Sequence, residues 1–203
     1  MQSVDDKIVA RIYGSGRGWA FSKNDFLDLS GDAVIRKTLS RLEQKGTIRR
    51  LLRGLYDYPK YSELLARAAG PELDQAAQGL ARKFGWRIQP SGNTALNYLG
   101  LSTQVPAQAM YLSDGPSRSY TIGNRKLVFK KRALKESGFK HRDSEMLVQA
   151  LKELGRDRVD DTIRKKLMEA IPASMWPKIV RDTKSATAWV HEVIRGIAED
   201  VAQ

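Results

Sequence analysis

Between Asp32 and Arg53 the sequence sets seven bases, Arg36, Lys37, Arg41, Lys45, Arg49, Arg50 and Arg53, against two acids, Asp32 and Glu43. Forked guanidinium donors suit a guanine edge or a phosphate oxygen, and a hydroxyl such as Ser40 bonds either. The chemistry this pattern offers is recognition of a polyanion rather than bond-making. The expected DNA-binding set is Arg36, Lys37, Ser40, Arg41, Lys45, Arg49 and Arg53, with Arg36 and Arg41 directed at base edges and Arg53 at a phosphate or the minor groove. A second basic run comprises Arg125, Lys126, Lys130, Lys131 and Arg132, continued by Lys135, Lys140, His141 and Arg142, with Glu136 the one acid among them. It is either a second polyanion surface, for DNA, RNA or a nucleotide, or the solvated side of a strand and a helix start.

Catalytic patterns are sparse. With no cysteine, disulfides, thiolate zinc sites and a cysteine nucleophile are excluded, and the two histidines, His141 and His191, stand far apart. Asp114 and Glu145 lack the short acid-x-lysine element that a metal-dependent nuclease carries on a strand. "GSGRG" at 14–18 has no lysine and hydroxyl residue after it and no buried strand before it, so it reads as a turn and not a phosphate loop. Neither an enzyme, a metal nor a cofactor is expected. A net charge of +12 and a pI near 9.9 in 203 residues instead favour nucleic acid as partner. The N-terminus, "MQSVDDKIVA", is acidic where a signal peptide is basic, and no apolar run would span a membrane, so a cytoplasmic protein without membrane contact is expected.

Val4, Ile8 and Ile12 mark one face of a first helix, which ends at the glycine-rich turn. In "FSKNDFLDL", Ser22 and Asp25 form a capping box for a second helix whose stripe is Phe26 and Leu29. Asp32 caps a third helix running to about Lys45, with Ile35, Leu39 and Leu42 inward, and Gly46 fits the left-handed position that closes it. A short strand, a tight turn at Arg53-Gly54 and a returning strand ending at Pro59 follow. In that hairpin Leu51, Leu52, Tyr56 and Tyr58 are packing residues. Three helices and a hairpin make a winged helix-turn-helix over residues 1–60, in which the third helix enters the major groove and the hairpin lies on neighbouring phosphates. Both elements must then be basic, as they are.

Residues 61–203 read as a second, mixed α/β domain, which makes the class α+β. A helix from about Pro71 to Phe84 turns Leu73, Ala76, Ala77, Leu80 and Phe84 inward; "GWRIQP" is a buried strand; a short helix carries Ala95, Leu96 and Leu99. Three strands follow, with turns at Asp114-Gly115 and Gly123-Asn124. The remainder is helical: Ser144 to Leu154, Val159 to Ile171, and an amphipathic stretch with Trp189, Val193, Ile197 and Val201, punctuated by Pro172 and Pro177.

Two segments carry a family resemblance. "SRLEQKGTIRRLLRGLYDYP", residues 40–59, resembles the winged-helix end of AbiEi-like antitoxins, from abortive-infection type IV toxin-antitoxin systems. "SGNTALNYLGLSTQVPAQAMYLSDGPSRSYTIGNRKL", residues 91–127, is similar to the start of the antitoxin domain in a related group. The resemblance extends over most of residues 5–135, with "LGLSTQVP" its most distinctive part. It implies a repressor of its own operon that binds double-stranded promoter DNA at inverted repeats, and a second domain that opposes a nucleotidyltransferase-like toxin without a stable complex. Asn93, Asn97, Ser102 and Gln104 are the polar residues of the distinctive segment, for which capping and turn bonding serve as well as function. From the residues themselves, a one-component regulator with a ligand-sensing C-terminal domain stays open.

Overall fold

A computed structural model describes residues 3–63, 66–102, 108–134 and 138–202. Helix α1 (Val4–Gly14) starts in a reciprocal capping box between Ser3 and Asp6 and buries Ile8 and Ile12. Strand β1 (Ala20–Phe21) is too short to show any period in the sequence, and it was not among the expected elements. The capping box of Ser22 and Asp25 forms as expected, but the helix it opens is a single 3-10 turn, Lys23–Phe26. Arg11 Nη1, from α1, donates to the Asp25 carbonyl at 2.7 Å and competes for the acceptor that a further α-turn would use, and the Leu29 amide donates instead to Phe26.

Helix α2 (Asp32–Gln44) has Gly31, not Asp32, at its N-cap. Asp32 lies inside the first turn, where its carboxylate receives Lys23 at 2.8 Å and Arg36 at 2.6 Å. Ile35 and Leu39 are buried as expected, Leu42 is half-buried, and Gly46 closes the helix at φ +70°. Strands β2 (Arg49–Leu52) and β3 (Leu55–Asp57) pair antiparallel through the Arg53-Gly54 turn, where Gly54 takes φ +73°, a conformation that disfavours any side chain. Strand β1 pairs with the other edge of β3, giving the order β1-β3-β2. One core serves these elements: Ile8, Ile12, Phe21, Phe26, Ile35, Leu39 and Ile48, with Tyr56 and Tyr58 against it.

Strands β4 (Tyr61–Ser62) and β5 (Arg67–Ala68) form a small antiparallel pair. Helix α3 (Leu73–Phe84) then packs on β1, β3 and the 3-10 turn. Gly79 makes that approach possible, since a Cβ there would lie 2.9 Å from Leu55 Cδ1 and 3.1 Å from the Ala20 carbonyl oxygen. Arg82 fastens the contact, donating to the Ala20 carbonyl and to Asp25 Oδ1, each at 2.6 Å. The compact N-terminal unit therefore runs past residue 60, comprising Met1–Arg87 and Ser119–Leu127. Phe84, expected inward, is 39% exposed, because in the last turn it stacks on Trp86 across the left-handed Gly85, ring centroids 4.7 Å apart.

The second unit, Ile88–Arg118 and Val128–Gln203, has its own core. Strand β6 (Ile88–Pro90) is buried, and α4 (Gly92–Tyr98) is capped by Ser91. A four-stranded sheet of order β6-β7-β9-β8 also takes in β7 (Gln108–Ser113), β8 (Arg118–Ile122) and β9 (Arg125–Lys131), of which residues 119–127 fall within the bounds of the first unit; β6 and β7 are antiparallel. Helices α5 (Arg142–Leu154), α6 (Asp161–Ala170), α7 (Trp176–Asp182) and α8 (Ala188–Val201) follow. Met146, Leu147, Leu151, Trp176, Ile179, Ile194 and Ile197 fill the core with Ala95 of α4 and Leu99 at its C-cap. In α8 the fully buried positions are Val190, Ile194 and Ile197; of the expected line, Ile197 is therefore buried, and Trp189, Val193 and Val201 pack half-buried against the same core. The class is α+β. No helix of the described residues is long and apolar enough to cross a membrane.

Candidate nucleic-acid interface

Between α2 and the β2–β3 hairpin lies a groove of about 460 Å³ lined by Lys23, Arg36, Arg50, Arg53, Tyr56 and Lys83. Asp32 at the start of α2 gathers Lys23 and Arg36 to the same edge, and its partners, Lys23 first, hold its carboxyl below the usual range. Arg50 leans over the Tyr56 ring at 5.6 Å and reaches Glu43 at 2.6 Å, which raises the guanidinium pKa further. Lys83 enters from the last turn of α3, donating to the Arg53 carbonyl at 2.8 Å. Burial, then the charges of Lys23 and Arg53, lower the Lys83 pKa. Five cations with only Asp32 and Glu43 against them give the groove a positive excess of three. Such a concavity attracts an anion more strongly than a flat surface of equal charge.

The expected contact residues divide in two. Arg36 is 65% exposed, and Lys37, Lys45 and Arg53 are exposed as well, on the helix and the hairpin turn as required. Ser40 is half-buried. Arg41 is turned back to α1, where its guanidinium pairs with Asp5, the same carboxylate that accepts from the buried Thr38 hydroxyl at 2.5 Å. Arg49 departs furthest from expectation. It donates to both carboxylate oxygens of Asp57, through Nε at 3.0 Å and Nη2 at 2.5 Å, and to the Ala69 carbonyl at 2.8 Å. Asp57 is 2% exposed, and burial raises its pKa in spite of the arginine. Alternation along β2 accounts for the difference: Arg50 faces outward with the groove, while Arg49 faces the framework.

Lys83 and Lys23 were not expected at this site, and Arg50 was counted among the bases without being assigned a contact. No local signal connects Lys83 to Arg53, thirty residues away. Only the docking of α3 brings them together. Leu51 and Leu52 are half-buried, and Tyr58 packs on Tyr13 with Arg17 above its ring at 4.6 Å.

The second basic run lies on and after β9. Arg125, Lys126, Lys130, Lys131 and Arg132 are all exposed, but strand alternation parts them: Leu127 and Phe129 point inward, so Lys126 and Lys130 share the face opposite to theirs. Lys135 and Glu136 lie outside the described residues. In the distinctive segment, Asn97 donates to the Asn93 carbonyl one turn back at 2.8 Å, Ser102 is half-buried, and Gln104 lies outside the described residues. The most built-in polar residue there is Thr94, whose hydroxyl accepts from the Met110 amide at 2.9 Å and donates to its carbonyl at 3.0 Å, clipping α4 to β7. Glu145 pairs with Arg142. Among the described residues no three histidine or carboxylate side chains converge as a metal site.

The sequence pattern of a family of unknown function, DUF6088, matches residues 7–175. No curated protein matches the chain.

Proposed function

The chain belongs to the DUF6088 family, and we propose that it is a DNA-binding protein of the winged helix-turn-helix type. In this reading α2 enters the major groove with Arg36, Lys37 and Ser40 toward base edges, and the β2–β3 hairpin lies along the flanking backbone. The observation that carries it is the cationic groove between these two elements, where Arg53 and Lys83 project from one wall and Arg36 from the other. A phosphate seated there would offset the burial and the repulsion from Lys23 and Arg53 that lower the Lys83 pKa. Arg41 and Arg49 belong to the framework and not to the contact.

The biological role we attach to this activity is that of a promoter-binding repressor acting as antitoxin of a type IV, AbiE-like system. Its DNA is the promoter of its own operon, and its functional opponent is a nucleotidyltransferase-like toxin that it does not bind stably. The DNA-binding half is supported by the groove; the antitoxin half is supported by the resemblance of residues 91–127.

Titrating duplex binding against salt tests the interface. Neutralising n phosphates gives a logarithmic slope of about −0.9n, so removing Arg53 and Lys83 together flattens the slope by about two units. An unchanged slope in Arg53→Ala/Lys83→Ala refutes the placement. Co-expression with a neighbouring toxin gene tests the role: growth is restored by the intact protein, and a failure to restore it leaves a repressor that is no antitoxin.

A further inference from the structure

A second concavity lies wholly within the C-terminal unit. The approach to α5 supplies Lys140 and His141, and the outer side of α7 with the 3-10 turn Thr183–Ser185 supplies Lys178, Arg181 and Lys184, around a hollow of about 430 Å³. Spacing sets this geometry. Ile179 and Thr183 are buried, which turns the positions at 178, 181 and 184 to the outside on one side of the turn.

Many arginines elsewhere among the described residues are matched to carboxylates, as in Arg11 with Asp28, Arg82 with Asp25 and Arg164 with Asp200. The cations of this hollow are not. No described carboxylate stands within ion-pair distance of Lys140, Lys178, Arg181 or Lys184, and Arg181 Nε reaches only the Pro177 carbonyl of its own helix, at 3.2 Å. The one acid in the hollow, Asp182, is engaged otherwise: its two oxygens accept from the Lys140 and His141 amides, each at 2.9 Å. These bonds fix the two walls relative to each other.

We propose that this hollow is a binding site for the phosphate group of a small phosphorylated ligand. Four cations against the one carboxylate of Asp182 leave an excess of three positive charges around the hollow, which favours phosphate over a carboxylate. The volume falls among small-molecule sites, which run from roughly 300 to 1,000 Å³, and the exposed hydroxyl of Ser185 adds a donor at the rim. No residue is shared with the DNA interface, so the assignment stands apart from that reading.

Isothermal titration of the full-length protein with sodium pyrophosphate at low salt tests it. Binding is expected with Kd on the order of 10–100 μM. Arg181→Ala/Lys184→Ala should weaken it by about tenfold or more, as expected when charge-assisted bonds are lost. The single variant Lys178→Gln should weaken it in the same direction, which guards against misfolding of the double variant. One control pair should bind as the parent does: Lys165→Ala/Lys166→Ala, exposed on α6. No binding at millimolar pyrophosphate, or equal weakening by the control pair, overturns the proposal. So does a single-stranded RNA octamer that binds through Arg181 and Lys184 where pyrophosphate does not.

Discussion

In Arg49→Ala the Asp57 carboxylate, 2% exposed, loses the guanidinium that holds both its oxygens, and the Ala69 carbonyl loses a donor. Removing one member of a buried ion pair destabilises by about 3–5 kcal/mol. Arg49 itself is 30% exposed, so water reaches the site, and the lower end of about 3 kcal/mol applies. Protonation sets a ceiling. Neutralising a carboxyl whose ordinary pKa is 3.8 takes roughly 1.36 kcal/mol per pH unit, or about 4.4 kcal/mol at neutral pH. The same proton gives the loss a pH signature. Burial already raises the Asp57 pKa in the folded protein, and without Arg49 it rises further. Stability held by a carboxyl with a raised folded pKa is fully present below the unfolded value and lost as pH rises through the folded value. The deficit of Arg49→Ala is therefore largest near neutrality and shrinks toward about pH 4. Hydrogen-exchange mass spectrometry of the 49–58 hairpin in graded urea, at several pH values, measures it. A deficit below about 1 kcal/mol, or one that does not change with pH, refutes the framework role of Arg49.

Asp32→Asn removes the acid that holds Lys23 and Arg36 at the groove edge, so duplex affinity should rise by roughly threefold to tenfold at low salt, read by fluorescence anisotropy; weaker binding contradicts the groove assignment. Gly79→Ala places a methyl against Leu55 and the Ala20 backbone and should destabilise the N-terminal unit by about 1–3 kcal/mol in urea unfolding, whereas a neutral effect shows that α3 docks otherwise. Burial works against ionisation of Asp182, but the Lys140 and His141 amides outweigh it and keep its pKa low, so the stability it contributes is present above the ordinary carboxylate value and lost as pH falls through the lowered one. Exchange of the 140–144 amides should accelerate in that acid window in the parent and much less in Asp182→Asn.

The elements with long, unambiguous periods were legible in the sequence: α1, α2, α3 and α5 lie within a few residues of their expected spans, because burial of one face fixes them. Capping chemistry at Ser22 was legible too, yet the length of the element it opens was not, since Arg11 from another helix decides where that turn stops. Residue type alone does not separate a framework arginine from a contact arginine. Arg49 and Arg50 are neighbours of identical chemistry, and only the facing of β2 and the burial of Asp57 turn one to the framework and the other to the groove. Lys83 and the hollow at Arg181 escaped for a related reason, because each depends on chain segments at least thirty residues apart in sequence.

Fluorescence-anisotropy titration of the protein with its own upstream DNA, against a scrambled duplex of equal length, at two salt concentrations near physiological, bears most directly on the central claim. A specific repressor that reads bases through α2 prefers the upstream DNA by roughly a thousandfold or more, with the preference persisting at the higher salt. Equal binding to both duplexes that collapses as salt rises contradicts sequence recognition and reduces the groove to a generic cationic surface.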